Sequence, residues 1–281
     1  MDAFAHCEQL VRRADKDRFF ATLFAPAKYR RALFALYAFN VEVARVREVA
    51  REPLPGEVRL QFWADLLDNK GRGEIDQYPV ASALADTIVR YRIRPHSLAE
   101  LIEARRFDLY NDPFATLTEF EDYAEKTSSV LIELAAQILN NGNDAGIGAV
   151  ARHAGIAYAI AGILQAFPAH AARGQVYLPL DLLSLHDVRP EDTLGAPLPS
   201  GVREAVAEMD RFCGAHLSRA RELLATAPPS VLPALLPVSL VRPTLKRLRS
   251  RRHDPRRRFA LPAWGRQWII WRAARDTRRI T

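Results

Sequence analysis

The sequence has little glycine, little cysteine and no long hydrophobic run. Its 281 residues include 13 glycines and 2 cysteines, and this balance favours helices over a glycine-punctuated β architecture. The two cysteines, Cys7 and Cys213, lie too far apart for a metal-ligand spacing or a disulfide framework, so we expect a reducing compartment. No run of about 18 apolar residues is present, which predicts no membrane-spanning helix. The first eight residues lack a signal-peptide core and include acids, so a cytoplasmic, bacterial protein is expected.

What the chain does contain is typical of a globular protein with an uneven charge. Hydrophobic residues make up 49% and charged residues 26%, and the net charge is +7. Nine Lys/Arg but only one acid, Asp254, lie between Arg242 and Arg258. Such a cluster suits anionic lipid, nucleic acid or an acidic partner, and a solvated helix face explains it equally well. We expect no nucleic-acid partner, because no binding motif is present and no aromatics are interleaved with the basic run.

Apolar residues recur at helical spacing along the whole chain, and no alternating pattern is long enough for a sheet. A Thr118-x-x-Glu121 capping box predicts the start of one helix. Neither a repeat nor a linker divides the chain, so we predict one all-α domain, 1–281, with a basic C-terminal region, 242–281. The predicted helices cover 5–24, 28–51, 57–69 (ending at Gly71-Arg72-Gly73), 80–91, 97–108, 118–139, 145–167, 201–224, 231–248 and 264–275.

Two stretches carry a resemblance to a known family. They are YRRALFALYAFNVEVARVRE at 29–48 and AGILQAFPAHAARGQVYLP at 161–179, and the segment 116–139 agrees in order and spacing. The chain resembles the squalene/phytoene synthase superfamily of head-to-head prenyl transferases over about 15–185. The resemblance implies an isoprenoid-synthase-like helical bundle.

In active members of that superfamily, each of two facing helices carries two Asp residues four positions apart. The spacing places both carboxylates on one helix face, where they hold Mg²⁺ ions. These ions neutralise the diphosphate that leaves when an allylic carbocation forms, and Mg²⁺ requires carboxylate and phosphate oxygens.

In this chain the matching positions are Ala44 and Glu48 in the first helix, and Ala166 and His170 in the second. Three of the four carboxylates are absent. No Asp or Glu occurs anywhere in 145–180, so a shift of register cannot replace them. The sequence therefore predicts no catalytic residue, no metal site and no cofactor.

Pro168 adds to this prediction. A proline inside a helix removes a backbone donor and clashes with the preceding turn, so we expect the helix to end or kink there and His170 to point elsewhere. Asp108 and Asp112 are the nearest acids that could substitute for the missing carboxylates.

The replacement pattern resembles the respiratory complex I assembly factor branch of the superfamily, as does the segment 58–63 (VRLQFW). The resemblance implies a pseudoenzyme that acts with protein partners in the biogenesis of NADH:ubiquinone oxidoreductase at the membrane. The alternative is an active prenyl transferase that uses isoprenoid diphosphates and Mg²⁺ at a degenerate site.

Several residues have both a functional and a structural interpretation. Glu42, Arg45, Arg47 and Glu48 form either a surviving polar constellation or salt bridges along a helix, and we favour the salt bridges. We interpret His153 and His170 as ordinary helix or loop residues and not as metal ligands. The candidate lining of a retained lipid or prenyl cavity is Tyr37, Phe39, Asn40, Phe62 and Trp63, and core packing explains the aromatic residues among them as well.

Trp264, Trp268 and Trp271 form one stripe on the last predicted helix, among several arginines. Tryptophan and arginine together suit a membrane interface, whereas packing against the body of the protein gives the same periodicity. The first interpretation places the protein peripherally on the inner membrane of a bacterium, in contact with anionic lipid.

Overall fold

The prediction of an all-α fold is confirmed. The computed structural model describes residues 2–50, 52–68, 77–195, 197–250 and 261–281, and these ranges contain helices and no strand. One π-helical stretch, Glu125–Ser129, joins α8 to α9. The α-helices are α1 (Ala3–Ala14), α2 (Lys16–Thr22), α3 (Ala27–Ala44), α4 (Val46–Val49), α5 (Pro53–Leu67), α6 (Pro79–Tyr91), α7 (Pro95–Arg106), α8 (Leu117–Ala124), α9 (Val130–Leu139), α10 (Gly148–Ala171), α11 (Leu180–Leu185), α12 (Ser200–Leu224), α13 (Leu232–Leu235), α14 (Val241–Leu248) and α15 (Ala263–Arg275).

The first two predicted helices are each divided. Asp15 ends α1 and caps α2, where its carboxylate accepts the backbone N–H of Arg18 at 3.1 Å. The second break falls at Arg45, between α3 and α4. The residues at the two breaks, Asp15 and Arg45, both line the same cavity. Arg51, the end of the third predicted helix at Asn69 with its glycines, and residues 251–258 of the basic cluster lie outside the described residues.

The predicted capping box is wrong by two residues. The Oγ1 of Thr116, not of Thr118, accepts the backbone N–H of Glu119 at 3.2 Å. Both Thr-x-x-Glu registers fit the sequence. In the observed register the carboxylate of Glu119 also accepts the backbone N–H of Ala115 at 2.7 Å, and this second hydrogen bond favours the start at Thr116.

The helix α10 is the central helix of the bundle, with α12, α9, α14 and the π-helical stretch packed around it. Contrary to the prediction, it continues through Pro168 to Ala171. Phe167 is buried immediately before the proline, and the N–H of Ala172 donates to the Pro168 carbonyl at 3.2 Å. The missing proline donor is therefore tolerated within a packed and closed last turn.

By length and composition alone, α10 would also suffice to cross a membrane, which the absence of a long apolar run did not lead us to expect. A core helix of a helical bundle meets the same criterion. Its many helix neighbours are those of a core helix.

The last helix, α15, packs on the 3-10 turn Leu236–Leu240 and on α2. Ile270 and Ala273 are fully buried on this side. Trp264 and Trp268 are 73% and 53% exposed, so the tryptophan stripe does not supply the packing face of the helix.

Candidate functional site

The four positions that match the family's carboxylates share one cavity. Ala44, Glu48, Ala166 and His170 all line a space of about 360 Å³ bounded by α3, α4 and α10. The prediction that His170 points elsewhere is wrong, because α10 keeps its helical path beyond Pro168. The imidazole of His170 lies against the ring of Tyr177, with 4.4 Å between ring centroids.

Three carboxylates line this cavity, and each is paired with an arginine. Arg18 contacts Asp15 at 2.7 Å, and Arg45 contacts Glu48 at 3.2 Å. The third, Asp108, comes from the 3-10 turn after α7, so one of the two suggested substitute acids does reach the cavity. Asp112, the other, is exposed and is not part of the lining.

Asp108 is the centre of a buried hydrogen-bond network. Its Oδ1 accepts the hydroxyls of Tyr123 and Tyr177, each at 2.8 Å, and its Oδ2 accepts Arg105 Nη1 at 3.0 Å. Its backbone carbonyl accepts the amide of Gln175 at 3.1 Å. Burial raises the pKa of both tyrosines well above the usual range, so the hydroxyls remain protonated donors. The carboxylate oxygens of Asp108 are thereby already engaged.

The charge of the lining is positive. Five arginines face three carboxylates there: Arg18, Arg45, Arg47, Arg105 and Arg173 against Asp15, Glu48 and Asp108. Burial, and then the charge of Arg173, lowers the pKa of His170 to about 4, so its imidazole is neutral at pH 7.

This donor set does not fit Mg²⁺. The cation prefers several oxygen ligands in octahedral geometry, and the matching positions offer two methyl groups, an imidazole and one carboxylate paired with Arg45. A lining with an excess of guanidinium groups also repels a dication.

The cavity nevertheless retains buried polar atoms that no protein group satisfies. Asn40 Oδ1 and Ser128 Oγ lack a hydrogen-bond partner, and both residues are buried, with only 6% of their surface exposed. His170 Nδ1 is also without a partner. All three residues belong to the lining. The cavity is therefore polar and contains buried atoms without a hydrogen-bond partner, but it does not have the chemistry of a metal centre.

The five residues predicted as cavity lining do not lie together. Asn40 lines the central cavity, whereas Tyr37 and Phe39 are buried in the core. Phe62 and Trp63 line a second, surface pocket of about 500 Å³ on the other side of Arg45.

The neighbouring charged residues also separate. Glu42 lines the surface pocket, Arg47 lines the central cavity, and Arg45 reaches both. Arg45, at the break between α3 and α4, and Glu48, in α4, are three residues apart, and their pair is about half exposed, as expected of a simple salt bridge.

Three of the arginines in the cavity carried no functional signal in the sequence. Arg18 follows its partner Asp15 by three residues, and its guanidinium lies over the rings of Tyr37 and Tyr158, at 5.6 and 5.2 Å from their centroids. Arg105 precedes Asp108 by three residues, whereas Arg173 has no acid at that spacing. The Asp15–Arg18 and Arg105–Asp108 spacings can be seen in the sequence, but such spacings are common in ordinary helices and do not indicate a cavity.

The second histidine considered for a metal role is remote from the cavity lining. His153 Nδ1 lies 3.0 Å from His216 Nδ1, between α10 and α12, and His216 Nε2 lies 2.9 Å from Glu121. In the part of the chain that the structure describes, no group of three or more His, Cys, Asp or Glu residues is arranged to hold a metal ion.

Comparisons with known proteins identify a family and several relatives. The model of the family described as squalene/phytoene synthase matches residues 11–265. NADH dehydrogenase (ubiquinone) complex I, assembly factor 6, of Homo sapiens is 32% identical over 243 residues, which cover 86% of this chain and 73% of that protein. Phytoene synthase of Arthrospira platensis is 23% identical over 280 residues, covering 94% and 89% of the two chains.

A solved structure shows the same fold. Squalene synthase from Alicyclobacillus acidocaldarius superposes with a TM-score of 0.76 at 22% identity, over 88% of this chain and 93% of that one. Together with the family match over most of the sequence, this similarity confirms the resemblance found in the segments 29–48 and 161–179. The chain belongs to the squalene/phytoene synthase family.

Proposed function

We propose that this protein is a non-catalytic member of its family that acts in the assembly of respiratory complex I. The observation that carries the proposal is the central cavity: the four positions that hold metal-binding carboxylates in active enzymes face one space, and three of them carry no carboxylate. The greater identity to assembly factor 6 than to phytoene synthase supports the same function.

The chemistry of the cavity supports a non-catalytic function. Ionising an allylic diphosphate requires cations that neutralise the leaving group, and those cations need free carboxylates. Asp15, Glu48 and Asp108 are each paired with an arginine instead. The fold then serves as a scaffold that presents surfaces to protein partners.

The place of action follows from the proposed role. Complex I is a membrane complex, so its assembly factor would work beside the membrane. For a bacterial chain this is the cytoplasmic face of the inner membrane, where the protein would bind peripherally.

Deletion of the gene in the organism that encodes it tests the proposal. We expect lower NADH:ubiquinone reductase activity and less mature complex I on native gels, with succinate:ubiquinone reductase activity unchanged as the matched control. Complementation should succeed with the wild-type chain and with Glu48→Ala, since the assembly role does not depend on a metal ligand at that position. Unchanged complex I levels after deletion would refute the assembly role.

The alternative function, head-to-head prenyl transfer, has more distant support in the phytoene synthase match. Incubation of the purified chain with farnesyl or geranylgeranyl diphosphate and Mg²⁺ addresses it directly. Metal-dependent turnover that is lost in Glu48→Ala would establish the enzyme and overturn the proposal.

A further inference from the structure

The outer side of α15 carries an exposed aromatic and cationic surface. Trp264, Trp268, Arg272 and Arg275 lie at positions that share one side of the helix, and we call them the tryptophan face. Both tryptophans are more than half exposed, and both arginines are exposed. Large exposed aromatic side chains at neighbouring positions mark a contact site in a soluble domain.

The opposite side of α15 fixes the helix to the bundle. Ile270 and Ala273 are fully buried, and Arg266 forms a two-pronged ion pair with the buried carboxylate of Asp17 on α2. The tryptophan face is thus presented by an anchored helix.

The charge of this face is of one sign. Within residues 261–281 the only acid is Asp276, and it pairs with Arg279. Among the described residues no carboxylate pairs with Arg272 or Arg275, and the guanidinium of Arg275 instead lies 3.9 Å from the ring centre of Trp271. The rings of Trp268 and Trp271 stack at 4.8 Å, which gives a flat aromatic surface bordered by cations.

We propose that the tryptophan face binds the surface of a bilayer that contains anionic phospholipid. Tryptophan prefers the boundary between headgroups and acyl chains, and guanidinium groups pair with lipid phosphates. A second copy of this chain fits less well, because a two-fold contact through this face would bring arginines of like charge together. The proposal goes beyond the assembly role and does not depend on it, since any activity beside a bilayer could use such a surface.

Vesicle binding by the full chain tests the proposal. The probes are vesicles of phosphatidylcholine alone and of phosphatidylcholine mixed with phosphatidylglycerol, with co-sedimentation as the readout. We expect binding to the mixed vesicles that weakens with added salt, and little binding to the neutral ones. Brominated lipid should quench the tryptophan emission, to which the buried Trp63 would contribute an unquenched part.

Paired variants separate the two components of the surface. Arg272→Gln/Arg275→Gln should weaken binding about thirtyfold, at about 1 kcal/mol for each cation near an anionic surface. Trp264→Ala/Trp268→Ala should weaken it about tenfold or more, through lost apolar burial. The matched controls are Arg13→Gln/Arg94→Gln and Val89→Ala/Leu185→Ala, which alter exposed residues elsewhere and should bind as the wild type does.

Several outcomes would overturn the proposal. Equal binding to neutral and anionic vesicles would contradict the preference for anionic lipid. An equal loss of vesicle binding in the control variants would show that binding does not occur at the tryptophan face. Light scattering that shows a dimer split by Trp264→Ala/Trp268→Ala would assign the face to a second copy. Circular dichroism checks that each variant folds, and full binding by a folded Arg272→Gln/Arg275→Gln variant would also count against the proposal.

Discussion

Asp108 is a carboxylate in the central cavity whose contacts are structural. Two tyrosine hydroxyls and one guanidinium take up its oxygens, and its side chain is 9% exposed. A buried ion pair of this kind is costly to form, and it is costlier to break, since removing one partner leaves the other charge uncompensated.

We therefore expect Asp108→Asn to destabilise the fold. The buried guanidinium of Arg105 would lose its counter-charge, at a cost of about 3–5 kcal/mol in the free energy of unfolding. Glu48→Gln is the matched control, because it breaks the half-exposed pair with Arg45 and should cost about 1 kcal/mol or less. Urea denaturation of both variants measures the difference, and equal costs would contradict a structural role for the Asp108 network.

His170 makes stability depend on pH. The unfolded chain takes up a proton on this imidazole near pH 6.5, whereas burial holds the folded pKa at about 4. The unfolded state thus binds more protons in this window, so the free energy of unfolding should fall as the pH is lowered from about 6.5 to about 4. Urea denaturation at several pH values should show a shallower fall in His170→Gln than in the wild type, and His96→Gln, at an exposed histidine, is the control. Identical slopes in all three proteins would refute this effect.

At the scale of elements, α10 is held by a close backbone approach. A Cβ built on Gly155 would lie 2.4 Å from the Cα and 2.5 Å from the backbone N of Ser129 in the π-helical stretch. Backbone atoms cannot yield as a flexible side chain can, so only glycine fits between these two elements.

Two glycines of the same helix give a matched test of this contact. Gly155→Ala should destabilise the protein by about 1–3 kcal/mol, because the helix must move away from Ser129. Gly162→Ala, where a Cβ would meet nothing within 4 Å, should be neutral or stabilise by about 0.5–1 kcal/mol through helix propensity. Thermal unfolding measures both. A Gly155→Ala protein as stable as the wild type would show that the packing is looser than the structure indicates.

The periodicity of apolar residues predicted the helices well, and it failed at two interruptions for different reasons. The break at Asp15 follows a local rule that periodicity does not show, because the Asp15 carboxylate caps α2 and pairs with Arg18 three residues later. The continuation through Pro168 runs against a local rule, because the burial of Phe167 outweighs the missing donor. Only the second effect depends on what packs against the segment.

At the scale of the molecule, the sequence identified the positions that lack the family's carboxylates, but it did not identify the residues that surround them. Ala44, Glu48, Ala166 and His170 could be aligned with a family pattern, and they do face one cavity. The network around Asp108 joins segments more than 60 residues apart, from Asp108 to Tyr177. Spacing along the chain carries no information on such contacts, so the positive charge of the lining became visible only in the structure.

The shared cavity leads to a prediction about metal dependence. Mg²⁺ should not change the thermal stability of the wild-type protein with farnesyl diphosphate, compared with the same sample in EDTA, because the arginines occupy the carboxylates that are present. Ala44→Asp/Ala166→Asp/His170→Asp restores four acidic positions and should give a Mg²⁺-dependent rise in Tm, since a ligand that binds only the folded state stabilises it.

Two controls make this result specific. Asp substitutions at exposed Arg13 and Arg94 change the net charge without altering the cavity, and they should give no metal response. Ca²⁺, which is larger and accepts looser geometry, tests whether the response depends on the octahedral preference of Mg²⁺.

A Mg²⁺-dependent rise in Tm in the wild-type protein would show that the lining still holds the metal. A restored variant whose Tm does not rise with Mg²⁺ would show that the four positions do not converge. Restoration of the metal response without any prenyl transfer would place the loss of activity in the arginine-rich lining as well as in the missing carboxylates.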